Sequence, residues 1–191
     1  MGEYLSIDET SLLQGELYTM LTNKSAKGRK GALIAMIKGT ESDKVIDILM
    51  KMSESVRKKV KEVTLDLAPT MERIVKKSFP KAKMVADRFH VQQLAIDAVQ
   101  QIRIDHRWQA IEQENKEMEL AKEAKKPFVA DVLENGDTLK QLLARSRYLV
   151  FKKQQDWSVS QVHRAEILFR LYPDLQQAYQ LSIELCDIFA L

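Results

Sequence analysis

Apolar and polar positions follow different periods in the two halves of the chain. Over residues 1–90, short apolar or β-prone runs bounded by Gly, Asn or charged residues predict strands at 3–8, 16–22, 31–38, 60–66 and 82–87. Asn23 to Lys30, with Gly28, reads as a basic hairpin turn between the second and third strands. Val45, Ile46, Leu49, Met50 and Met52 recur at helical spacing and predict a helix over about 43–58, with Ser42 as its N-cap. Pro69 opens a shorter helix carrying Met71, Ile74 and Val75, which stops before Pro80. From residue 88 onward the period is helical. One long helix or two are predicted over 88–126, with Leu94, Val99, Ile102, Trp108, Ile111 and Met118 as candidate buried positions. A loop at 130–137 contains Asn135-Gly136, and helices follow at about 138–153, 158–171 and 174–189.

The predicted order is β-β-β-α-β-α-β, then helices. Three strands joined by short turns make an antiparallel meander, and two helical crossovers demand parallel neighbours. This is the order of the ribonuclease H-like fold, so the expected class is α/β followed by all-α. The expected division is a partial catalytic core at 1–90 and a helical region at 91–191. In that topology the first strand lies beside the fourth, which brings Asp8 and Asp66 to neighbouring strand ends.

Three of the apolar runs end in aspartate: Leu5-Ser6-Ile7-Asp8, Val63-Thr64-Leu65-Asp66 and Met84-Val85-Ala86-Asp87. The carboxyl ends of strands are where open α/β sheets build sites. Repeating a carboxylate there is costly unless something compensates the charge, and a shared divalent cation does so. Mg²⁺ or Mn²⁺ prefers hard oxygen ligands and keeps several waters, so Asp8 and Asp66 suffice as metal ligands for phosphoryl transfer. Glu9 follows Asp8 but points to the opposite face of the strand, which suits a supporting role. In Asp87-Arg88-Phe89-His90, Asp87 ends a strand and His90 lies one turn into a helix, so both can face the same site. The string also fits an N-cap aspartate followed by a solvent-facing histidine. Arg88 is either a phosphate contact or a surface arginine, and Phe89 is expected in the core.

Composition narrows the class. The chain has 191 residues, 45% hydrophobic and 30% charged, with net charge +3, which permits nucleic-acid binding without requiring it. Lys27, Arg29 and Lys30 cluster in the predicted hairpin turn. Arg145, Arg147, Lys152 and Lys153 are predicted along one helix with Tyr148 between them, facing either a DNA backbone or solvent. His106 and His163 have no partners at metal-ligand spacing, and Trp108 and Trp157 read as packing residues. Cys186 is alone, which excludes an internal disulfide and suits the reducing cytoplasm. No apolar run approaches the ~20 residues of a membrane span, so no membrane association is expected.

Ser6-Ile7-Asp8-Glu9, Val63-Thr64-Leu65-Asp66-Leu67-Ala68-Pro69 and Phe79-Pro80-Lys81-Ala82-Lys83-Met84-Val85-Ala86-Asp87-Arg88-Phe89-His90-Val91 resemble the DDE transposases of bacterial insertion sequences, in the ISL-three group. Leu143–Lys153 and Tyr172–Tyr179 are similar to the same family. The resemblance implies a ribonuclease H-like core interrupted by a helical insertion. It matches Asp8 and Asp66 to the first two catalytic aspartates, and Asp87 and His90 to an aspartate-x-x-histidine signature. It implies Mg²⁺ or Mn²⁺ as cofactor, transposon ends and target DNA as partners, and hydrolysis followed by strand transfer as the reaction.

The pattern departs from the family in two places. The zinc-binding and helix-turn-helix segments that precede the core in family members are not seen. Nor is the third acid, a glutamate in an Asn-Gly-rich segment beyond the insertion; Glu166 and Glu184 follow the insertion's own helical pattern. The expectation is a core cut short at both ends and inactive alone. The alternatives are a non-catalytic, DNA-binding or regulatory transposase that forms homo-oligomers or pairs with a full-length partner, and a ribonuclease H-like nuclease completed by other acids.

Overall fold

Along the first strand, β1 (Tyr4–Ser11), Leu5 and Ile7 are buried while Tyr4 and Asp8 are exposed, the alternation of a half-buried strand. The same rule holds in β4 (Glu62–Leu65), where Val63 and Leu65 are buried. A computed structural model describes residues 1–12 and 15–189 and resolves them into two units, Met1–Val91 and Gln92–Leu191.

In the first unit, β1, β2 (Leu17–Asn23) and β3 (Leu33–Lys38) form the meander, and β4 and β5 (Lys83–Ala86) extend it. The sheet order is β3-β2-β1-β4-β5. The β1–β2 and β2–β3 pairs are antiparallel, and the β1–β4 and β4–β5 pairs are parallel. This mixed sheet is compatible with a ribonuclease H-like fold. One sheet face packs on α1 (Ser42–Met50) and α3 (Pro69–Ser78), where Leu5, Ile7, Leu21, Ile37 and Val63 meet Val45, Leu49, Met71 and Ile74. The three aspartates fall at positions of the other parity.

Several boundaries differ from the sequence expectation. The helix expected over 43–58 is broken into α1 and a single turn, α2 (Glu54–Arg57), because Ser53 adopts an extended ψ of 141° between them. Buried Arg57 then fixes α2 by donating to the carbonyls of Met52 and Ser78, at 3.2 and 3.0 Å. Ser42 is not the N-cap but the first helical residue, and its Oγ accepts from Arg73 at 2.9 Å. In the basic hairpin turn, Lys27 adopts φ +46° and Gly28 φ +76°, and Asn23 N–H closes the turn on the Ala32 carbonyl at 2.7 Å.

The second unit contains most of one long helix, α4 (Arg88–Glu123), with α5 (Leu139–Arg145), α6 (Val159–Leu171) and α7 (Pro173–Ile188). Its core joins Val99 to Leu142, Leu143, Leu149, Ile167, Leu168, Leu175 and Tyr179. Of the α4 positions expected to be buried, Val99 is in the core, but Leu94, Trp108 and Met118 are exposed. The apolar residues of α4 are distributed around the helix, so no single packed face can cover them all. Trp157 does pack, against Phe169 and Tyr179, with Nε1 donating to the Leu149 carbonyl at 3.0 Å. Burial, then Asp156, pushes the Tyr179 hydroxyl up to about 12. That hydroxyl donates to the Lys152 carbonyl at 2.7 Å.

The helix expected over 138–153 ends at Arg145. Ser146 Oγ donates back to the Leu142 carbonyl at 2.7 Å, which competes with continuation, and a tight turn at Leu149–Phe151 follows. Arg145, Arg147, Lys152 and Lys153 therefore do not share one helix.

His106 on α4 also has a partner that the sequence did not reveal. Its Nε2 lies 2.7 Å from Asp174 Oδ2 at the start of α7, and its ring sits 4.4 Å from that of Tyr172. Burial raises the Asp174 pKa, but hydrogen bonds from His106 and the Leu175 N–H prevail and hold it below 3.8. A carboxylate with a depressed native pKa contributes stability that is present above its unfolded pKa and lost as pH falls through the native value. Acid melts should therefore show Asp174→Asn losing less stability than the unaltered protein between neutral pH and about pH 3. Parallel acid limbs would show that the pair contributes nothing. Because Asp174 is exposed, the effect at neutral pH should stay under about 1 kcal/mol.

Candidate active site

The sheet register places the aspartates. Ser6 pairs with Thr64 in the parallel β1–β4 ladder, two residues before Asp8 and Asp66. Leu65 pairs with Ala86 in the β4–β5 ladder, one residue before Asp66 and Asp87. The ladder closes with Asp87 N–H donating to the Leu65 carbonyl at 2.7 Å. The three carboxylates thus lie at one level across three neighbouring strands: Asp66 and Asp87 just past the carboxyl ends of β4 and β5, and Asp8 within β1, which was expected to end there but continues to Ser11 through its pairing with β2. A two-residue step keeps Asp8 and Asp66 on the same sheet face as Ser6 and Thr64.

Each aspartate also accepts from a backbone N–H just after it. Asp8 Oδ1 accepts from Glu9 N–H at 2.8 Å, and Asp66 Oδ1 accepts from Ala68 N–H at 3.0 Å, starting the turn into α3. Asp87 Oδ1 accepts from Phe89 N–H at 2.8 Å at the entry to α4. This first turn of α4 carries His90 toward the edge, where its Nε2 stands 3.9 Å from Asp8 Oδ1. Asp87 therefore makes the N-terminal contact of the capping interpretation, whereas His90 points at Asp8. Phe89, expected in the core, is 63% exposed, and its ring meets the His90 ring edge-on at 5.7 Å.

Glu9 follows Asp8 within β1. Its carboxyl is raised above 4.5 by burial first, then by Asp66, then by Asp8. Strand alternation sends its side chain away from that of Asp8. A cleft of about 180 Å³ opens beside Asp66, lined by Leu65, Leu67, Ala68, Glu72, Met84 and Ala86. Among the described residues no trio of His, Cys, Asp or Glu side chains is arranged to hold a metal ion. The donor chemistry at Asp8 and Asp66 nonetheless suits Mg²⁺ or Mn²⁺, which accept two hard carboxylates and complete their shells with water.

A family model described as a transposase, of the DDE type and the ISL-three group, matches residues 5–191. The chain belongs to the DDE transposase family. No curated protein matches it. Membership gives it a role in DNA transposition for an insertion sequence, and such transposases act on DNA and generally use divalent metal ions. None of the described helices is long and apolar enough to cross a membrane.

The basic residues expected at a transposase's DNA fall in different places. Lys27, Arg29 and Lys30 are exposed in the hairpin turn, next to Asn23, which pairs with Leu5. Asp8 pairs with Met20 further along the same ladder, so this turn lies at the end of the sheet opposite the carboxylates. Lys24, beside it, is held by Glu62 at 3.2 Å and Thr64 Oγ1 at 2.8 Å. Arg88 follows Asp87 directly at the carboxylate edge. In the helical unit Arg145 pairs with buried Asp137, while the Arg147 guanidinium lies 5.5 Å from the centroid of the Tyr148 ring.

Proposed function

We propose that this transposase chain provides the metal-binding edge of a ribonuclease H-like catalytic core, and that its helical unit is an insertion within that core. Its reaction is phosphodiester hydrolysis at the transposon end, then attack of the freed 3′-hydroxyl on target DNA. The observation that carries the reading is the row of Asp8, Asp66 and Asp87 at one level across three neighbouring strands, with His90 turned toward Asp8.

Asp8 and Asp66 supply the hard oxygens that would hold the cations. Bound there, divalent ions supply Lewis-acid activation of the attacking oxygen and charge neutralisation at the leaving oxygen. His90 presents a ring nitrogen on the same edge, placed to bind a phosphate oxygen and to orient the Asp8 carboxylate. Asp87 acts as a positioning residue, because its bond to Phe89 N–H fixes the turn that aims His90. Arg88 stands beside that turn as a phosphate contact.

The test is an end-cleavage and strand-transfer assay on a transposon-end duplex with Mg²⁺ or Mn²⁺, alongside calorimetric metal binding. The expected result is saturable metal binding that Asp8→Asn or Asp66→Asn abolishes. Metal binding unchanged in Asp66→Asn would refute the carboxylate edge as the site. Absent metal binding would refute the catalytic reading and leave a regulatory, non-catalytic role.

A further inference from the structure

Arg103, on α4, is a buried arginine. It is 5% exposed, and among the described residues its hydrogen bonds go to neutral acceptors: Nε donates to Gln100 Oε1 at 2.8 Å and Nη1 to the Leu143 carbonyl at 2.7 Å. Gln100 in turn donates to the Arg147 carbonyl at 2.8 Å. One buried network thus fixes the end of α5 and the turn after it against α4. Arg107 lies four residues beyond Arg103, one helical turn along the same face. Both Arg107 and Arg147 are exposed.

Charge is not balanced here. Burial lowers the Arg103 pKa, Arg107 and Arg147 lower it further, and no carboxylate opposes them. Among the described residues none of these three guanidiniums takes part in an ion pair, whereas nearby Arg145 and Arg164 both pair with Asp137. A buried cation without a counter-ion is unfavourable, and two like charges beside it increase the cost. An external anion would remove that cost. Exposed Tyr148, 65% accessible, carries the Arg147 guanidinium against its ring and adds a flat, hydrogen-bonding contact next to it.

We propose that Arg107 and Arg147, backed by buried Arg103 and flanked by Tyr148, form a docking surface in the helical unit for the phosphate backbone of double-stranded DNA. The inference rests on the DNA-processing function proposed above but uses none of the residues of the carboxylate edge. A backbone fits better than a single phosphate because the two outer arginines are open to solvent on separate segments. A rod of repeated phosphates can neutralise both at once. Contacts of this kind fix position and affinity without reading bases.

The test is fluorescence anisotropy with a labelled random-sequence duplex of about 30 base pairs across a salt series, without divalent metal. Arg107→Ala/Arg147→Ala should weaken binding on the order of tenfold at low salt. It should also flatten the slope of log K against log salt by about 1.8, roughly 0.9 per lost phosphate contact. Arg170→Ala, at an exposed arginine of the same unit paired with Glu134, should bind as the unaltered protein does. Circular dichroism of each variant establishes that it is folded. An unchanged slope in the double variant, an equal loss in Arg170→Ala, or no binding by the unaltered protein would each overturn the surface. Metal binding at Asp8 and Asp66 with DNA affinity indifferent to Arg107 and Arg147 refutes the docking surface alone. DNA affinity that depends on these arginines, without metal binding, refutes the catalytic core and leaves the docking surface standing.

Discussion

Asp8→Asn and Asp66→Asn should each weaken Mn²⁺ and Mg²⁺ binding by more than ~100-fold, since even partners outside the ligand shell of a metal change affinity by 10- to 100-fold. The physical reason is charge. An amide oxygen is a poor substitute for an anionic oxygen beside a hard dication. Asparagine also isolates the effect well. Asp66 Oδ1 accepts from Ala68 N–H, and Asp8 Oδ1 from Glu9 N–H, and an amide oxygen can accept in both places. The local backbone at both aspartates should therefore survive, and thermal stability without metal should hold or rise, because repulsion among Asp8, Glu9 and Asp66 is relieved. Calorimetric titration reads the affinity, and thermal unfolding with and without Mn²⁺ reads the linkage. Metal-induced stabilisation of equal size in the unaltered protein and both variants would place the cation elsewhere and sink the assignment.

Asp137→Ala should cost the helical unit about 3 kcal/mol or more and lower its unfolding midpoint by more than ~10 °C. Asp137 is 1% exposed, and its two oxygens bind Arg145 at the end of α5 and Arg164 on α6, the latter at 3.2 Å. Asn135 Nδ2 donates to the same carboxylate at 3.0 Å, and the Asp137 carbonyl accepts from Leu133 N–H at 2.8 Å. The turn itself requires Gly136, at φ +78°, so the chain delivers Asp137 inward immediately after a reversal. Removing the carboxylate leaves Arg164, itself mostly buried, without its anion, and that desolvated charge is the larger part of the expected loss. Asp137→Asn keeps the volume and the turn, so a similar loss there would assign the effect to charge rather than to a cavity. A midpoint within a degree or two of the unaltered protein in both variants would mean that the network contributes nothing net. This network also bears on DNA contact: Arg145, adjacent in sequence to Arg147, is held by Asp137.

How much of this was legible in the sequence depends on the range of the interaction. The period-two alternation of Leu5, Ile7, Val63 and Leu65 and the helical spacing of Val45 and Leu49 are local signals, and strands and helices formed where those signals lay. The break at Lys51–Ser53 follows from the extended backbone of Ser53, and the one after Arg145 accompanies the bond from Ser146 Oγ to the Leu142 carbonyl; neither is legible in local periodicity. The 36-residue α4 has more apolar positions than its partners can cover, so periodicity alone overstates its share of the core. The site was legible as three aspartates beside apolar strands, although β1 runs three residues past Asp8 because its pairing with β2 continues. The aim of His90 at Asp8 and the reach of Glu9 to Asp66 required the register of three strands and the first turn of α4.

By itself, the sequence determined which segments became strands and helices, and put one aspartate within β1 and one just after each of β4 and β5, because those choices depend on neighbours two to four residues away. The tertiary structure decided which charges far apart in sequence found partners. Asp137 draws Arg145 and Arg164 from 8 and 27 residues away, while Arg103, Arg107 and Arg147 take part in no ion pair among the described residues. Ion pairing follows from distance and desolvation across elements, and neither quantity exists until the chain has folded.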